Sequence, residues 1–218
     1  MIVSDIQTYV KRQFGDESGV QITDTDIIRW INSGQRHIVK VNEGLLEKVS
    51  TANTVVGQQA YALPTDCLIL QSISYKSNTD LSYFKLKGFT LNEFNEYIDG
   101  WDGTTYQQGL PNCYTIFAGN IDLFPIPDTS MTSGLKIYYT RKPVDIVNPS
   151  DTPDLPELYH EALVKFCLLR AYALDSDYYA QQLTSGELDS DIMTLRGRES
   201  WKQEETYPTI TVRNEDYY

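Results

Sequence analysis

The spacing of apolar residues changes twice along this 218-residue chain, from helical to strand-like and back to helical. In residues 1–50 apolar positions recur every three or four residues. Ile27, Ile31 and Ile38 fall on one side of a helix predicted over about residues 24–42, and Thr23 with Asp26 resembles a capping box at its start. An earlier helix is predicted over about residues 4–13, with Ser4 as its cap. We therefore assign residues 1–50 to the first part of a helical bundle.

Residues 51–142 alternate between apolar and polar positions with period two, which is typical of antiparallel strands. Gly119 and Asn120 predict a two-residue hairpin turn. Thr90 and Glu93 predict a capping box for a short helix near residues 91–98, and Gly100–Asn112 predicts an exposed loop. The predicted strands are Thr54–Val56, Ala60–Leu63, Leu68–Lys76, Tyr83–Lys87, Cys113–Ala118, Ile121–Phe124 and Leu135–Thr140.

Residues 143–156 are rich in Pro and Asp and predict a connector, after which residues 157–203 return to helical spacing as the second part of the bundle. The first helix of this part has two adjoining apolar stripes, which predicts a central position in the core. The stripes are Leu158, Ala162, Phe166, Leu169 and Ala173, and Tyr159, Leu163, Cys167 and Leu174. The next helix, over about Ser176–Trp201, is expected to bury Ala180, Leu183, Leu188, Ile192 and Leu195.

The last segment, residues 204–218, predicts extended chain, because Pro208 prevents a helix and Thr209–Val212 favours a strand-like backbone. It has too little apolar surface to fold alone. Two interpretations remain open, a frayed end or an arm that becomes ordered against a partner. The predicted fold class is therefore α+β, a helical bundle from the N- and C-terminal segments with an inserted antiparallel β-sandwich-like region and an extended C-terminal arm.

Charge is distributed unevenly. The formal net charge is −12, and residues 143–218 carry 15 acidic and 6 basic side chains. Affinity for a phosphate backbone comes from clustered Lys and Arg that release counterions, so the balance disfavours a protein that grips DNA. There is also no run of about 20 apolar residues and no signal peptide, so we expect neither a membrane span nor secretion by the usual route.

Residues that carry chemistry do not form a known motif. His37 and His160 lie outside any metal-binding pattern, and no nucleotide-binding loop or nucleophile elbow occurs. Three cysteines without metal-ligand spacing are expected to be buried thiols of a reducing cytoplasm. We therefore predict no catalytic, cofactor-binding or metal site, and no enzyme. Sixteen tyrosines instead favour interfaces between proteins, although those in the strands can simply line sheet faces.

Several segments resemble the head-to-tail adaptor family of tailed bacteriophages of podovirus type. The resemblance covers about residues 1–203, and Asp154–Asp177 is its most specific part. It rests on patterns of packing residues in five segments, DIIRWINSGQRHI, YALPTDCLILQSISY, IDLFPIPD, LKIYYTRKP and DLPELYHEALVKFCLLRAYALDSD.

The resemblance implies a structural virion protein at the head-tail junction, made in the host cytoplasm. About twelve copies would form a ring, a dodecamer, beneath the portal. The ring would extend the channel through which DNA passes at genome ejection without specific binding, and would offer a docking platform to tail or nozzle proteins, with no cofactor and no membrane involved. A C-terminal arm would contact the portal, and the candidate residues are Tyr207, Ile210, Val212, Arg213, Tyr217 and Tyr218.

Two other functions stay open from the sequence. One is another β-rich phage tail component, such as a tail-tube or tail-completion protein. The other is a cell-wall hydrolase carried on the virion, for which the sequence offers no signature pair of carboxylates.

Overall fold

A computed structural model describes residues 1–42, 44–77, 81–97 and 107–200, and these form an α+β fold, as predicted. Its helices are α1 (Val3–Phe14), α2 (Asp24–Val41), α3 (Leu91–Tyr97), α4 (His160–Leu174) and α5 (Tyr178–Ser200), with a 3₁₀ turn at Glu157–Tyr159. Its strands are β1 (Glu47–Thr54), β2 (Ala60–Ala62), β3 (Cys67–Lys76), β4 (Tyr83–Lys85), β5 (Lys87–Gly88), β6 (Gln108–Gly109), β7 (Cys113–Phe117), β8 (Asn120–Phe124), β9 (Ile126–Pro127) and β10 (Met131–Arg141).

The chain forms two compact units. The helical unit consists of Met1–Gly34 together with the described residues from Ile146 onward, and the β-rich unit consists of Gln35–Asp145. The helical unit therefore contains segments from both ends of the sequence. None of the helices in the described part of the chain combines the length and apolarity that a bilayer crossing requires.

Helix α4 is the centre of the helical unit. Ala162, Leu163, Phe166 and Cys167 are all buried, in agreement with the two predicted stripes. Helices α1 and α5 pack against α4, and α2 reaches it at Gly34, where a Cβ atom would lie 3.0 Å from side-chain atoms of Leu163 and Phe166. Glycine at this position therefore allows the two helices to approach closely.

The predicted stripes are wrong at their ends. Leu158 and Leu174 are 62% and 66% exposed. Leu158 lies in the 3₁₀ turn before α4, and Leu174 is the last residue of α4. On α5, Leu188 and Ile192 are buried as predicted, but Leu183 is 58% exposed. Helical spacing shows which residues share a stripe, but it does not show how far along the stripe a neighbouring helix extends.

The connector caps the start of α1. The backbone N–H groups of Val3 and Ser4 donate to the carbonyl oxygens of Asp151 and Pro149, at 2.9 Å each. Ser4 lies within the first turn of α1 and is not its cap, so that prediction is wrong. The connector is itself held by Asn32, whose side chain donates to the Ile146 carbonyl at 3.0 Å and accepts from the Ile146 N–H at 2.8 Å. Carbonyl groups of the connector thus accept the hydrogen bonds of the first N–H groups of α1, which a capping side chain would otherwise accept.

The loop between α1 and α2 is organised by one carboxylate. Asp16 accepts hydrogen bonds from the backbone N–H groups of Val20, Gln21 and Ile22, at 3.1, 2.7 and 2.9 Å, and from the Ser18 hydroxyl at 2.9 Å. These bonds, with that from Ile22 the strongest, lower the pKa of Asp16 to about 2, although partial burial acts in the opposite direction. The loop is therefore built around an ionised aspartate. After it, the predicted capping box begins α2, since the Asp26 N–H donates to the Thr23 hydroxyl at 3.2 Å.

The β-rich unit has two four-stranded sheets and a small third sheet. The first has the order β1-β10-β3-β4 and is antiparallel throughout; the second has the order β2-β8-β7-β5. The β5–β7 and β6–β9 pairs are parallel. Both large sheets contribute to one apolar core, as expected for a sandwich. The core consists of Tyr61, Ile73, Tyr75, Leu86, Ile121, Leu123, Leu135, Ile137 and Tyr139.

Three local predictions for this region need correction. The hairpin turn between β7 and β8 is Ala118-Gly119, one residue earlier than predicted, because Asn120 already pairs with Phe117. Both turn residues have positive φ, 49° and 78°, as a type I′ turn requires. Strand β1 begins at Glu47, inside the stretch predicted as helical, because pairing with β10 outweighs its weak apolar pattern. It ends at Thr54, since the Val55 N–H donates to the Tyr61 hydroxyl at 3.1 Å.

The short helix α3 has the predicted capping box, with the Thr90 N–H donating to the Glu93 carboxylate at 2.8 Å. Its predicted last residue, 98, lies outside the described residues, as does most of the predicted loop 100–112, in which the structure describes β6. The end of the predicted second bundle part, residues 201–203, and the whole predicted arm, 204–218, also lie outside the described residues.

Replacing Phe166 with alanine tests the core position of α4. The ring is 4% exposed and packs against Gly34, so Phe166→Ala should lower the free energy of unfolding by about 3–5 kcal/mol. Chemical denaturation measures the change. Leu174→Ala, on the exposed end of the same helix, is the matched control and should change it by less than about 0.5 kcal/mol. Equal effects of the two variants would contradict the packing described here.

The Asp16 loop predicts a particular pH dependence. The pKa of Asp16 is lowered to about 2 in the folded protein, from an ordinary value of 3.8, so the ionised loop stabilises the fold above about pH 4. This contribution is lost as the pH falls from about 4 towards 2. Asp16→Asn should therefore destabilise the protein at pH 7 and reduce the loss of stability between pH 4 and 2, measured by denaturation across that range. An unchanged pH profile would contradict the role of the carboxylate.

Candidate interaction surfaces

The outer face of the first sheet carries a cluster of lysines and tyrosines. Cross-strand partners point to the same side of a sheet, and Lys136 pairs with Ser74, which pairs with Lys85 on the edge strand. On either side of these pairs, Tyr138 pairs with Ser72, and Lys76 pairs with Tyr83. We call the group formed by Lys76, Tyr83, Lys85, Lys136 and Tyr138 the lysine–tyrosine face.

Cation–π contacts hold the centre of this face together. The Lys136 Nζ lies 5.0 Å from the ring centroid of Tyr83 and 5.6 Å from that of Tyr138. The Tyr83 hydroxyl donates to the Ser133 carbonyl at 2.7 Å, which fixes the ring at the sheet edge. The intervening β10 residues, Leu135 and Ile137, point into the core. The lysine–tyrosine face is therefore the solvent side of a sheet whose other side is fully packed.

The lysines of this face make no ion pair with a carboxylate in the described part of the chain. Strand β1 pairs with β10 at the border of this face, and Glu47 is its acidic residue on the same side. The Glu47 carboxylate accepts a hydrogen bond from the Gln71 side chain at 3.2 Å. Three ammonium groups thus share one surface of a protein whose formal net charge is −12.

The helical unit exposes large apolar side chains where α4 turns into α5. Tyr178 and Tyr179 are 77% and 81% exposed, beside the exposed Leu174. Asp175 and Asp177 lie between them and are also exposed. We call these five residues, Leu174, Asp175, Asp177, Tyr178 and Tyr179, the α4–α5 corner. Single exposed apolar residues need no explanation, but three within six positions mark a candidate contact surface.

The geometry of the corner is well defined. The Asp177 N–H donates to the Tyr172 carbonyl at 3.1 Å, and the Asp177 side chain accepts from the Ala180 N–H at 3.0 Å, which caps α5. Between these bonds Ser176 has a φ of 58°. The corner is a tight turn whose ends are held by these hydrogen bonds, and its rings are exposed.

An open groove of about 530 Å³ runs along α5 from this corner. Tyr179, Leu183 and Gly186 form its apolar part. At its other side, the Lys165 ammonium lies 2.6 Å from Asp191 and 3.7 Å from Glu187, and the hydrogen bond to Asp191 raises the pKa of the lysine. The negative charges of Glu187 and Asp191 are thus partly neutralised by the Lys165 ammonium group. The apolar part of the groove stays exposed.

The cysteines and His160, which could act as nucleophiles or as acids and bases, are buried or half-buried. Cys113 and Cys167 are buried and Cys67 is half-buried, and burial raises the pKa of all three thiols. A raised pKa keeps a thiol protonated and therefore unreactive. His160 is buried: its Nε2 lies 3.0 Å from the Leu155 carbonyl, and its Nδ1 lies 3.0 Å from the amino group of Met1. Burial is the main cause of the lowered pKa of His160.

Within the described ranges no group of His, Cys, Asp and Glu side chains has the arrangement of a metal site. His37 is exposed on α2, far along the sequence from His160, which begins α4. Of the acidic residues on α5, Glu187 and Asp191 both lie next to the Lys165 ammonium, at 3.7 and 2.6 Å.

The six candidate residues of the C-terminal arm, Tyr207, Ile210, Val212, Arg213, Tyr217 and Tyr218, lie outside the described residues. Sequence reasoning missed both surfaces described above. The lysine–tyrosine face had a signal, the alternation of Lys136 with Tyr138 and of Tyr83 with Lys85. The α4–α5 corner had a weaker one, because Leu174 was assigned to a buried stripe.

Comparison with known proteins places the chain in a family. Residues 1–212 match the model of the family described as SU10 adaptor protein. The match includes both compact units, and it also covers Tyr207, Ile210 and Val212 but not the last six residues. No curated protein matches the chain.

Proposed function

The chain belongs to the SU10 adaptor protein family, a family of structural bacteriophage adaptors, and we propose that it is a head-to-tail adaptor that forms a ring beneath the portal. The observation that carries this proposal is the family match across residues 1–212. The adaptor family implies a virion component associated with portal and tail proteins. We also propose that the adaptor is of podovirus type and that its ring lies at the head-tail junction.

The proposed ring contains about twelve copies and extends the DNA channel. A net charge of −12 suits such a conduit, because DNA phosphates are repelled by an acidic wall and slide past it during genome ejection. The charge is concentrated in the helical unit, since the segments 1–34 and 146–218 contain 19 acidic and 9 basic residues, against 11 and 9 in Gln35–Asp145. No specific DNA binding is needed for this role.

We propose that the adaptor binds its partners through exposed aromatic surfaces. The exposed rings of the α4–α5 corner and the lysine–tyrosine face are the two prominent candidates in the described residues. Aromatic side chains with polar tips are favoured at protein interfaces, because they bury a large area and still form a hydrogen bond at the rim. The proposed partners are further copies of the chain, the portal protein, and the tail or nozzle proteins that dock below the ring.

Residues 204–218 are proposed to bind the portal. Thr209–Val212 is a run of β-branched residues, which favours the extended backbone of a peptide that adds to a surface of its partner. Tyr207, Ile210, Val212, Tyr217 and Tyr218 would supply the apolar contacts, and Arg213 a charged one.

Location in the particle tests the proposed function. Cryo-electron microscopy of intact particles should show density that fits both units as a ring between portal and tail, in about twelve copies. Immunogold labelling gives an independent readout. Density elsewhere in the tail, or absence of the chain from purified particles, would contradict a head-to-tail adaptor.

Truncation tests the arm. A chain without residues 204–218 should fold with an unchanged melting temperature and should lose binding to its portal ring, measured by co-sedimentation. A chain with residues 204–218 in scrambled order keeps length and charge and should also fail to bind, whereas Thr209→Ser should bind normally. Retained attachment of the truncated chain would show that the arm is not the portal contact.

A further inference from the structure

We propose that the lysine–tyrosine face of one copy binds the α4–α5 corner of the next copy. This contact rests on the proposed function, because it specifies how neighbouring subunits of the ring meet. Both surfaces are defined by described residues, one in the β-rich unit and one in the helical unit. The occupant proposed for the lysine–tyrosine face is thus a second copy of this chain.

Charge complementarity is the first argument. The lysine–tyrosine face presents Lys76, Lys85 and Lys136 without a paired carboxylate in the described part of the chain. The α4–α5 corner has the opposite charge, since Asp175 and Asp177 are exposed there and residues 174–179 contain no Lys or Arg. Opposite charges across an interface guide association and exclude contact between like surfaces. Face-to-face and corner-to-corner contacts between copies are both disfavoured by this distribution.

The apolar groups are the second argument. The corner exposes Leu174, Tyr178 and Tyr179 on a turn with fixed ends. The face offers the rings of Tyr83 and Tyr138 and the aliphatic stems of the lysines, which can cover apolar surface while the ammonium groups reach the rim. An ammonium group that already lies over two tyrosine rings, as in Lys136, can also accept a further aromatic neighbour from the corner.

A contact between two different surfaces can repeat from one subunit to the next. The two surfaces differ, so each subunit that uses its face still has a free corner, and the contact repeats from copy to copy. A repeating contact of this heterologous kind closes into a ring when its rotation allows, and forms a filament when it does not. A contact between two unlike surfaces is therefore compatible with the proposed ring.

Disulfide cross-linking in assembled particles tests the contact. Lys85→Cys and Asp175→Cys are introduced into one chain in a Cys67→Ser background, since Cys113 and Cys167 are buried. Both positions are exposed. Asp175 is the C-cap residue of α4, but its cap is a hydrogen bond from its backbone N–H to the Ala171 carbonyl, which a cysteine also forms. After oxidation, the double variant should give a ladder of covalent multimers beyond the dimer on a non-reducing gel. Each single variant should give no multimer beyond the dimer, because a chain with one cysteine cannot extend.

The outcomes separate this contact from the proposed function. A chain that is absent from particles would contradict the adaptor role itself. A chain present in the neck whose double variant cross-links no further than the single variants would overturn the proposed contact and leave the adaptor role intact.

Charge reversal supplies a second readout on the same particles. Lys85→Glu with Lys136→Glu should abolish incorporation of the chain, and adding Asp175→Lys should restore part of it, because the reversed charge of the corner again meets its opposite on the face. Lys40→Glu, an exposed lysine on α2 outside the face, is the matched control and should be incorporated normally. Full incorporation of the double reversal would overturn the proposal.

Discussion

The fold depends on the need to cover helix α4, which is apolar around most of its circumference. One neighbouring helix cannot shield such a surface, so α4 packs against α1, α2 and α5. Helices from both ends of the sequence must therefore meet, and the segment between them leaves the helical unit and returns to it. The exit and return lie side by side: Asn32 pairs with the backbone of Ile146, and within the β-rich unit Arg36 pairs with Asp145 at 2.8 Å.

The helical unit and the β-rich unit expose different kinds of surface. The helical unit carries most of the negative charge and exposes its rings at the α4–α5 corner, and the β-rich unit presents lysines on a sheet whose other side is packed. Cys113, Cys167 and His160 are buried, and burial raises the pKa of both thiols and lowers the pKa of His160.

Prediction from the sequence worked where the physical cause is local. Capping boxes at Thr23 and Thr90 mark the starts of α2 and α3 because a side chain and a backbone N–H three residues apart always meet in a helical turn. It failed where partners are distant. Strand β1 has little apolar alternation and exists through its pairing with β10. Leu183 stays exposed although it was predicted to be buried together with Leu188. The start of α1 is satisfied by connector carbonyls some 145 residues away along the chain, which no local pattern reveals.

By itself, the sequence determined the class of the fold, the approximate bounds of the long helices, the uneven charge and the family, because these follow from periodicity, composition and order along the chain. Only the tertiary structure decided how far along each element the cover extends and which surfaces stay exposed. It assembled the lysine–tyrosine face from three strands and left the α4–α5 corner exposed. The reason is physical: a surface exists only once separate segments have been brought together, and burial depends on where a neighbouring element ends.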